Sequence, residues 1–229
     1  EDANLKSTFA NYAPEELRKL NVFFSNFCEA FLYTYNPENI NQDKMISFAY
    51  IHHFINHTGR DFTGKIDNPY FQYVCMGIPS DAFDDTIYKY FGITLPHEGT
   101  VYQLSNGLYS GWAYQDGKFF TAGASGESYD RFSIVTDIFK MHDDTFLVYL
   151  NTYQLPLDRM NPVHNPPDYY AYSAQTAAND PECTLMFKQT ALIAPHEYND
   201  TQTWKLFDLS IAEAFNGYDT SGIYIGIAE

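Results

Sequence analysis

Two histidines one helical turn apart are the residues whose spacing points most directly to chemistry. His53 and His57 form an H-x-x-x-H pattern, and on a helix this spacing can chelate a metal ion. The metalloprotease form needs a glutamate after the first histidine, whereas position 54 is Phe. Beyond Asp61 no third ligand is evident, so the pattern favours solvated or partner-bonded histidines near a helix end. We therefore expect no metal and no cofactor, and keep a metal-binding protein using His53 and His57 as an alternative.

Two further patterns suggest catalysis, and each has a local interpretation. Residues 123–127 (GASGE) approach a nucleophile elbow, but Glu127 stands where glycine is required and the flanking segments resemble strands. Adjacent carboxylates occur at Asp84/Asp85 and Asp143/Asp144, at a predicted helix start and a predicted hairpin tip, where Asp is favoured. The acid and base of a glycosidase are brought together by the fold, so adjacency does not identify them. We assign no catalytic residue.

Aromatic side chains are the feature that most favours ligand binding. Phe, Tyr and Trp make up 18% of the chain. Tyr and Trp offer large, rigid contact area with a polar handle, which suits a sugar or a partner protein. We expect the proline-rich stretch 156–182 to form a long cover loop folded against the sheet of a hairpin at Asp116-Gly117. The predicted ligand-binding residues are Trp112, Tyr114, Tyr169, Tyr170 and Tyr172.

Hydrophobic periodicity predicts three helices in the first part of the chain. Apolar residues recur at three- and four-residue steps, and the expected helices cover residues 14–35, 42–57 and 80–92. Asn41 is the predicted cap of the second helix, Ser80 the cap of the third and Gly92 its terminator.

Beyond Gly92 the pattern changes to alternation with period two, which is typical of strands. Hairpins are predicted at 109–121 and 131–153, with a last antiparallel pair at 184–212. We predict an α+β fold in one domain, residues 1–229, with a helical part at about 14–92 and a sheet part at about 93–229. The N-terminal helices are expected on one face of a mainly antiparallel sheet of five or six strands, and a cystatin-like or NTF2-like cone is the expected analogue.

Charge and cysteine content exclude several classes of protein. The 229 residues contain 13 Lys and Arg against 29 Asp and Glu, a net charge of −16, so we expect no nucleic-acid partner. No apolar run is long enough to span a bilayer, so no membrane span is expected. Cys28, Cys75 and Cys183 each lie in an apolar neighbourhood, which predicts buried thiols and a fold that does not depend on a disulfide.

Several segments resemble a family of uncharacterised secreted proteins and lipoproteins of Gram-positive bacteria. The segments are LNVFFSNFCEAFLYTY, ISFAYIHHFIN, KYFGI, AYQDGKFF and SGESYDRFSIV, and the resemblance covers roughly residues 17–155. It implies a secreted or cell-surface location, with a leader removed and room for a lipid anchor upstream. The family has no assigned activity, so the resemblance transfers no site residue.

The sequence thus predicts a non-catalytic extracytoplasmic binding or interaction module, and an enzyme is the less favoured class. Its expected partner is a glycan, a small molecule or a protein. The main alternative is a hydrolase of glycans or cell-wall material, which requires two carboxylates about 5–10 Å apart in a cleft.

Overall fold

The described strands separate into two antiparallel sheets of four strands each. The computed structural model describes residues 6–57, 77–103, 109–121, 130–141, 143–157, 160–161 and 165–222. Within these residues, four α-helices and two four-stranded sheets confirm the α+β class. The expectation of one sheet of five or six strands is wrong, because strand periodicity does not reveal which strands pair.

The chain divides into two compact units. The first unit comprises residues 1–39 and 127–229, and the second unit comprises residues 40–126. The helices are α1 (Pro14–Glu29), α2 (Gln42–His57), α3 (Ser80–Phe91) and α4 (Ala174–Asn179). The strands are β1 (Ile78–Pro79), β2 (Val101–Gln103), β3 (Tyr109–Gln115), β4 (Lys118–Thr121), β5 (Arg131–Lys140), β6 (Phe146–Gln154), β7 (Thr184–Tyr198) and β8 (Thr201–Ala214). The prediction of a single domain stays a prediction.

In the first unit, α1 packs on strand β5 of a meander ordered β5-β6-β7-β8. Both faces of β5 are buried. Phe132 and Ile134 pack in a cluster with Tyr169 and Ala177, which belong to the cover segment (residues 156–182). Ser133, on the other face, contacts Cys28 of α1. The strand at 146–154 is central, as its two apolar faces predict, since β6 lies between β5 and β7.

Two side chains of α1 cap the outer edge of β5. Asn21 Oδ1 accepts a hydrogen bond of 2.8 Å from the Val135 amide, and Ser25 Oγ accepts one of 2.9 Å from the Ser133 amide. Four residues of helix rise about 6 Å and two residues of strand about 6.6 Å, so the two pairs are in step. The Asn21 side-chain amide also donates to the Tyr170 carbonyl at 2.8 Å. Asn21 therefore joins the helix, the sheet edge and the cover segment.

A row of buried polar side chains crosses the same sheet. Ser133 Oγ lies 2.8 Å from Thr152 Oγ1, which donates to Gln189 Oε1 at 2.5 Å. The Gln189 amide then donates to the Tyr33 carbonyl at 2.8 Å. Each polar atom along this row has a partner, as burial requires.

The cover segment, residues 156–182, packs through residues that the structure describes on the first unit's own sheet. Its described part contains a 3₁₀ turn, Tyr169–Ala171, followed by α4, whose N-cap Ser173 accepts from the Thr176 amide at 3.0 Å. The 109–121 hairpin, on whose sheet this segment is expected to fold, belongs to the other sheet.

The second unit contains a sheet ordered β1-β4-β3-β2. Strands β3 and β4 form the predicted hairpin, and Asp116 (φ 50°) and Gly117 (φ 72°) both adopt the left-handed conformation of a type I′ turn. Helix α3 ends at Gly92 (φ 66°), as predicted, but Pro79 rather than Ser80 precedes its first turn. Asn41 Oδ1 accepts from the Lys44 amide at 3.0 Å, which confirms the cap of α2.

The helices and the cysteines bear on two predictions, that the chain has no membrane span and that its fold does not depend on a disulfide. None of the helices in the described residues is long and apolar enough to cross a membrane. Cys28 is buried and Cys183 is half-buried, both are free thiols, and burial raises the pKa of each to about 12. Cys75 lies outside the described residues, so independence from a disulfide stays a prediction.

Replacing Asn21 by Ala tests the edge cap. We expect the Asn21→Ala variant to lose about 2–3 kcal/mol of unfolding free energy in urea titrations, because a buried amide of β5 and a carbonyl of the cover segment lose their partner. Asn26→Ala is the matched control, since among the described residues the Asn26 amide donates to Val22 of the same helix, at 2.7 Å. Its expected loss is below about 1 kcal/mol. Equal losses for the two variants would contradict the proposed role of Asn21.

Candidate functional site

The five predicted ligand-binding residues divide between the two units. Trp112 and Tyr114 belong to the second unit, and the three tyrosines of the cover segment belong to the first. Trp112 is 8% exposed and packs on Tyr50 at 5.1 Å, while Tyr169 is 1% exposed and packs on Phe132 at 5.3 Å. Both rings point into the cores of their units because each element carrying them buries one face. They are core residues rather than parts of an exposed surface.

Tyr170 fastens the cover segment to α1. Its hydroxyl donates to Glu29 Oε1 at 2.7 Å, and its carbonyl receives the Asn21 side chain. One end of the same helix face carries Arg18, whose Nε lies 2.6 Å from Asp168 Oδ2. Arg18, Asn21 and Glu29 therefore form one stripe along α1 that holds residues 168–170.

Glu29 is the most perturbed carboxyl group of this stripe. Burial raises its pKa from 4.5 to about 7, the Tyr170 hydrogen bond opposes that rise, and the negative charge of Asp130 adds to it. The Asp130 carboxylate itself accepts a hydrogen bond from the Met160 amide. A carboxyl with a pKa near neutrality can hold or release a proton at physiological pH, which is one property of an acid–base residue.

Phe31, two residues beyond Glu29, has an unusual backbone conformation. Helix α1 ends at Glu29 rather than at residue 35, in a Schellman motif with amide bonds from Phe31 to Cys28 (3.1 Å) and from Leu32 to Phe27 (2.8 Å). This motif requires a left-handed residue at position 31, where glycine is usual, and Phe31 adopts φ 61°. For a bulky side chain this conformation is an outlier.

The Phe31 ring is exposed and supported from one side. Its side chain is 45% exposed, and the guanidinium Cζ of buried Arg131 lies 4.4 Å from the ring centroid. We call Phe31 with Arg131 behind it the Phe31 platform. A cation against one face fixes the ring, and the exposed remainder is available to a ligand.

Tyr172 and Tyr114 have polar partners within their own units. Tyr172 is half-buried and its hydroxyl donates to Asp180 Oδ2 at 3.1 Å; burial and this acceptor raise its pKa to about 12. Tyr114 is half-buried, and its hydroxyl lies 3.3 Å from His97 Nδ1. Tyr172 therefore stabilises the cover segment, whereas Tyr114 takes part in a separate hydrogen-bonded chain.

The structure describes only some of the residues in the remaining sequence patterns. His53 is buried in α2, but the side chain of His57 and residues 123–127 lie outside the described residues. Among the side chains that are described, no three of His, Cys, Asp and Glu gather as ligands would. His57 lies outside this set, so the metal alternative stays a hypothesis. Asp143 and Asp144 form a hairpin tip, as their local interpretation predicts, with Asp144 at φ 58°.

No protein-family model, curated protein or solved structure matches this chain. The resemblance to secreted Gram-positive proteins, and the location it implies, therefore stay predictions.

Sequence reasoning missed Phe31 and Glu29 as site residues. The pattern placed Phe31 on the apolar face of a longer helix, since it follows Phe27 at a four-residue step. The one sequence signal of a strained helix end is that no glycine follows Glu29. A helix that continued past Glu29 would lack that glycine too, so the signal does not identify the end. The pKa of Glu29 is raised by burial in the fold and by the charge of the distant Asp130, and neither cause has a local signature.

Replacing Glu29 by Gln tests its proton. The folded protein holds this proton more tightly than the unfolded chain, so the stabilisation is fully present below pH 4.5 and is lost as the pH rises through about 7. We expect wild type to lose roughly 1–3 kcal/mol relative to Glu29→Gln between pH 5 and pH 8, measured by urea unfolding.

The matched control is Glu15→Gln, which removes an exposed carboxylate from the first turn of the same helix. Its difference from wild type should stay nearly constant over this pH range. A wild-type curve parallel to that of Glu29→Gln would show that Glu29 titrates as an exposed residue.

Proposed function

We propose that this protein is a non-catalytic extracytoplasmic binding or interaction module, secreted or displayed on a Gram-positive cell. Its first unit contacts a glycan, a small molecule or a partner protein through the Phe31 platform. The observation that carries the proposal is an exposed aromatic ring at a backbone position that disfavours it.

Stability does not account for the backbone conformation of Phe31. A left-handed conformation costs about 1–2 kcal/mol for a residue with a Cβ atom, and glycine removes that cost. Because the Phe31 side chain is 45% exposed, burial returns only part of this energy. Strained residues that stability does not explain are concentrated at binding and catalytic sites.

Preorganisation is the second support. The Arg131 guanidinium at 4.4 Å restricts the ring before any ligand arrives, so little side-chain entropy remains to be lost on binding. Arg131 is only 5% exposed and begins strand β5, which places the cation on a rigid element. Aromatic anchors of this kind dominate binding energy at many interfaces.

The charge of the chain supports the location and the partner class. A net charge of −16 favours solubility and disfavours contact with anionic polymers, which fits a surface-displayed protein with no nucleic-acid partner. The proposed location also rests on the resemblance described from the sequence.

One observation favours hydrolysis of a glycan as the second candidate function. Glu29 has a pKa raised to about 7, within range of a general acid, and Asp130 is close enough to contribute to that rise. Turnover of a cell-wall glycan by wild type and its loss in Glu29→Gln would establish this function in place of simple binding.

Replacing Phe31 by Gly tests the binding role. We expect the unfolding free energy to stay within about 1 kcal/mol of wild type or to increase, because relief of backbone strain offsets the lost cation–π contact. On an array of glycans and wall-derived peptides, binding should fall at least ~10-fold, which is about 1.4 kcal/mol.

Tyr149→Ser is the matched control, since Tyr149 is also an exposed aromatic residue of the first unit, at 41%. It should retain the binding of wild type. A loss of stability above about 2 kcal/mol in Phe31→Gly would identify the ring as structural, and equal binding by both variants would place the ligand elsewhere.

A further inference from the structure

The second unit contains a carboxylate, an imidazole and a phenol in one hydrogen-bonded chain. Asp84 lies on α3, His97 in the segment after that helix and Tyr114 on β3. His97 Nε2 lies 2.8 Å from Asp84 Oδ1 and 3.0 Å from Oδ2, and its Nδ1 lies 3.3 Å from the Tyr114 hydroxyl. The order carboxylate, base, hydroxyl is that of a nucleophilic triad.

The positions of the protons follow from the chemistry of the three groups. An ionised carboxylate can only accept hydrogen bonds. In a neutral imidazole the proton therefore lies on Nε2, which donates a hydrogen bond to Asp84. Nδ1 is then an acceptor, and the Tyr114 hydroxyl donates to it. Asp84 thereby selects the tautomer of His97 that can take a proton from the phenol.

Aromatic rings hold this imidazole in place. The Phe83 and Phe119 rings meet it at steep angles, with centroid distances of 6.3 and 5.9 Å, and the Tyr114 ring lies at 5.2 Å. The two phenylalanines are fully buried. The His97 and Asp84 side chains keep exposures of 33% and 43%, so a fixed imidazole faces a side that a small molecule can reach.

We propose that Tyr114 is a nucleophilic tyrosine that accepts an acyl group from an activated, uncharged ester. His97 is its general base, and Asp84 is the positioning residue that orients His97. The site lies wholly in the second unit and does not depend on the Phe31 platform or on its ligand.

The step is a balanced acyl transfer. The Tyr114 oxygen attacks the ester carbonyl carbon, the bond from that carbon to the leaving oxygen breaks, and the leaving group departs with the bonding electrons. The phenol proton passes to His97 Nδ1, the imidazolium is stabilised by Asp84, and the proton then passes to the leaving group or to water. The products are an O-acyl tyrosine and the free alcohol or phenol.

The surrounding charge selects the class of donor. Besides Asp84 itself, Asp85 follows Asp84 and Glu98 follows His97 in the sequence. The chain has a net charge of −16. A field of this sign repels anionic phosphoryl donors and leaves neutral esters unaffected.

Tyr102 supplies a control in the same unit. It lies on β2, which pairs with β3, and is 47% exposed, but its hydroxyl donates to the Asp43 carboxylate at 2.6 Å. This hydrogen bond raises the pKa of Tyr102, so its phenol holds the proton more tightly. The two tyrosines differ in exposure and in the group that accepts their proton.

The experiment treats the full chain with p-nitrophenyl acetate, follows p-nitrophenolate release, and locates acetyl groups by tandem mass spectrometry. We expect acetylation of Tyr114 at least ~10-fold faster than that of Tyr102. His97→Gln and Asp84→Asn should each slow Tyr114 by ~10-fold or more while leaving Tyr102 unchanged, and Tyr114→Phe should lose the label. Equal acetylation of both tyrosines, or no effect of either variant, overturns the proposal.

Two features keep the test decisive if His97→Gln fails to fold. Asp84→Asn retains the imidazole and its ring contacts but replaces the carboxylate by a neutral amide, which stabilises the imidazolium less. The pH profile of acetylation in wild type should differ from that of Asp84→Asn, because only wild type pairs the general base with a carboxylate. Identical pH profiles would reduce Asp84 to a structural residue and overturn its assigned role.

Discussion

The hydrogen bonds that the edge amides of β5 donate to Asn21 and Ser25 are the constraint on which the first unit depends. An open strand edge exposes amides that pair readily with other chains, and proteins cover such edges in various ways. Here the cover is a helix whose side-chain oxygens repeat at the spacing of the strand amides, with bonds of 2.8 and 2.9 Å. The position of α1 on the sheet follows from that match, and so do the places of its other polar residues. Glu29 then meets Tyr170 at 2.7 Å, and the helix end presents Phe31.

The two candidate sites show opposite uses of burial. At the end of α1, burial of a carboxyl and strain in an exposed aromatic residue raise the energy of the folded state locally. In the second unit, buried rings instead immobilise a partly exposed imidazole between two polar partners. The first arrangement suits a contact surface, because binding of a ligand can offset the local cost in free energy. The second suits a group that must hold one orientation while a proton moves.

Local signals in the sequence predicted the elements of this fold well. The Asp116-Gly117 turn, the Gly92 terminator, the Asn41 cap and the central position of β6 all depend on neighbouring residues. The division into two sheets, the end of α1 at Glu29 and the placement of the cover segment depend on contacts distant in sequence. The candidate sites divide in the same way: Tyr114 and Tyr170 were identified from composition and position, but their partners His97 and Glu29 were not, since pairing across the fold has no local pattern.

The order of residues along the chain has a consequence for folding. The bonds that cap β5 join residues 108 and 114 positions apart, and the whole second unit lies between them in the sequence. During synthesis α1 is complete long before its strand exists, whereas the four described strands of the second unit's sheet are all present once β4 is made. Closing a loop of this length is slow, since its entropy is lost before its contacts form. Assembly of the first unit is therefore expected to lag behind that of the second, with α1 exposed to chaperones in the interval.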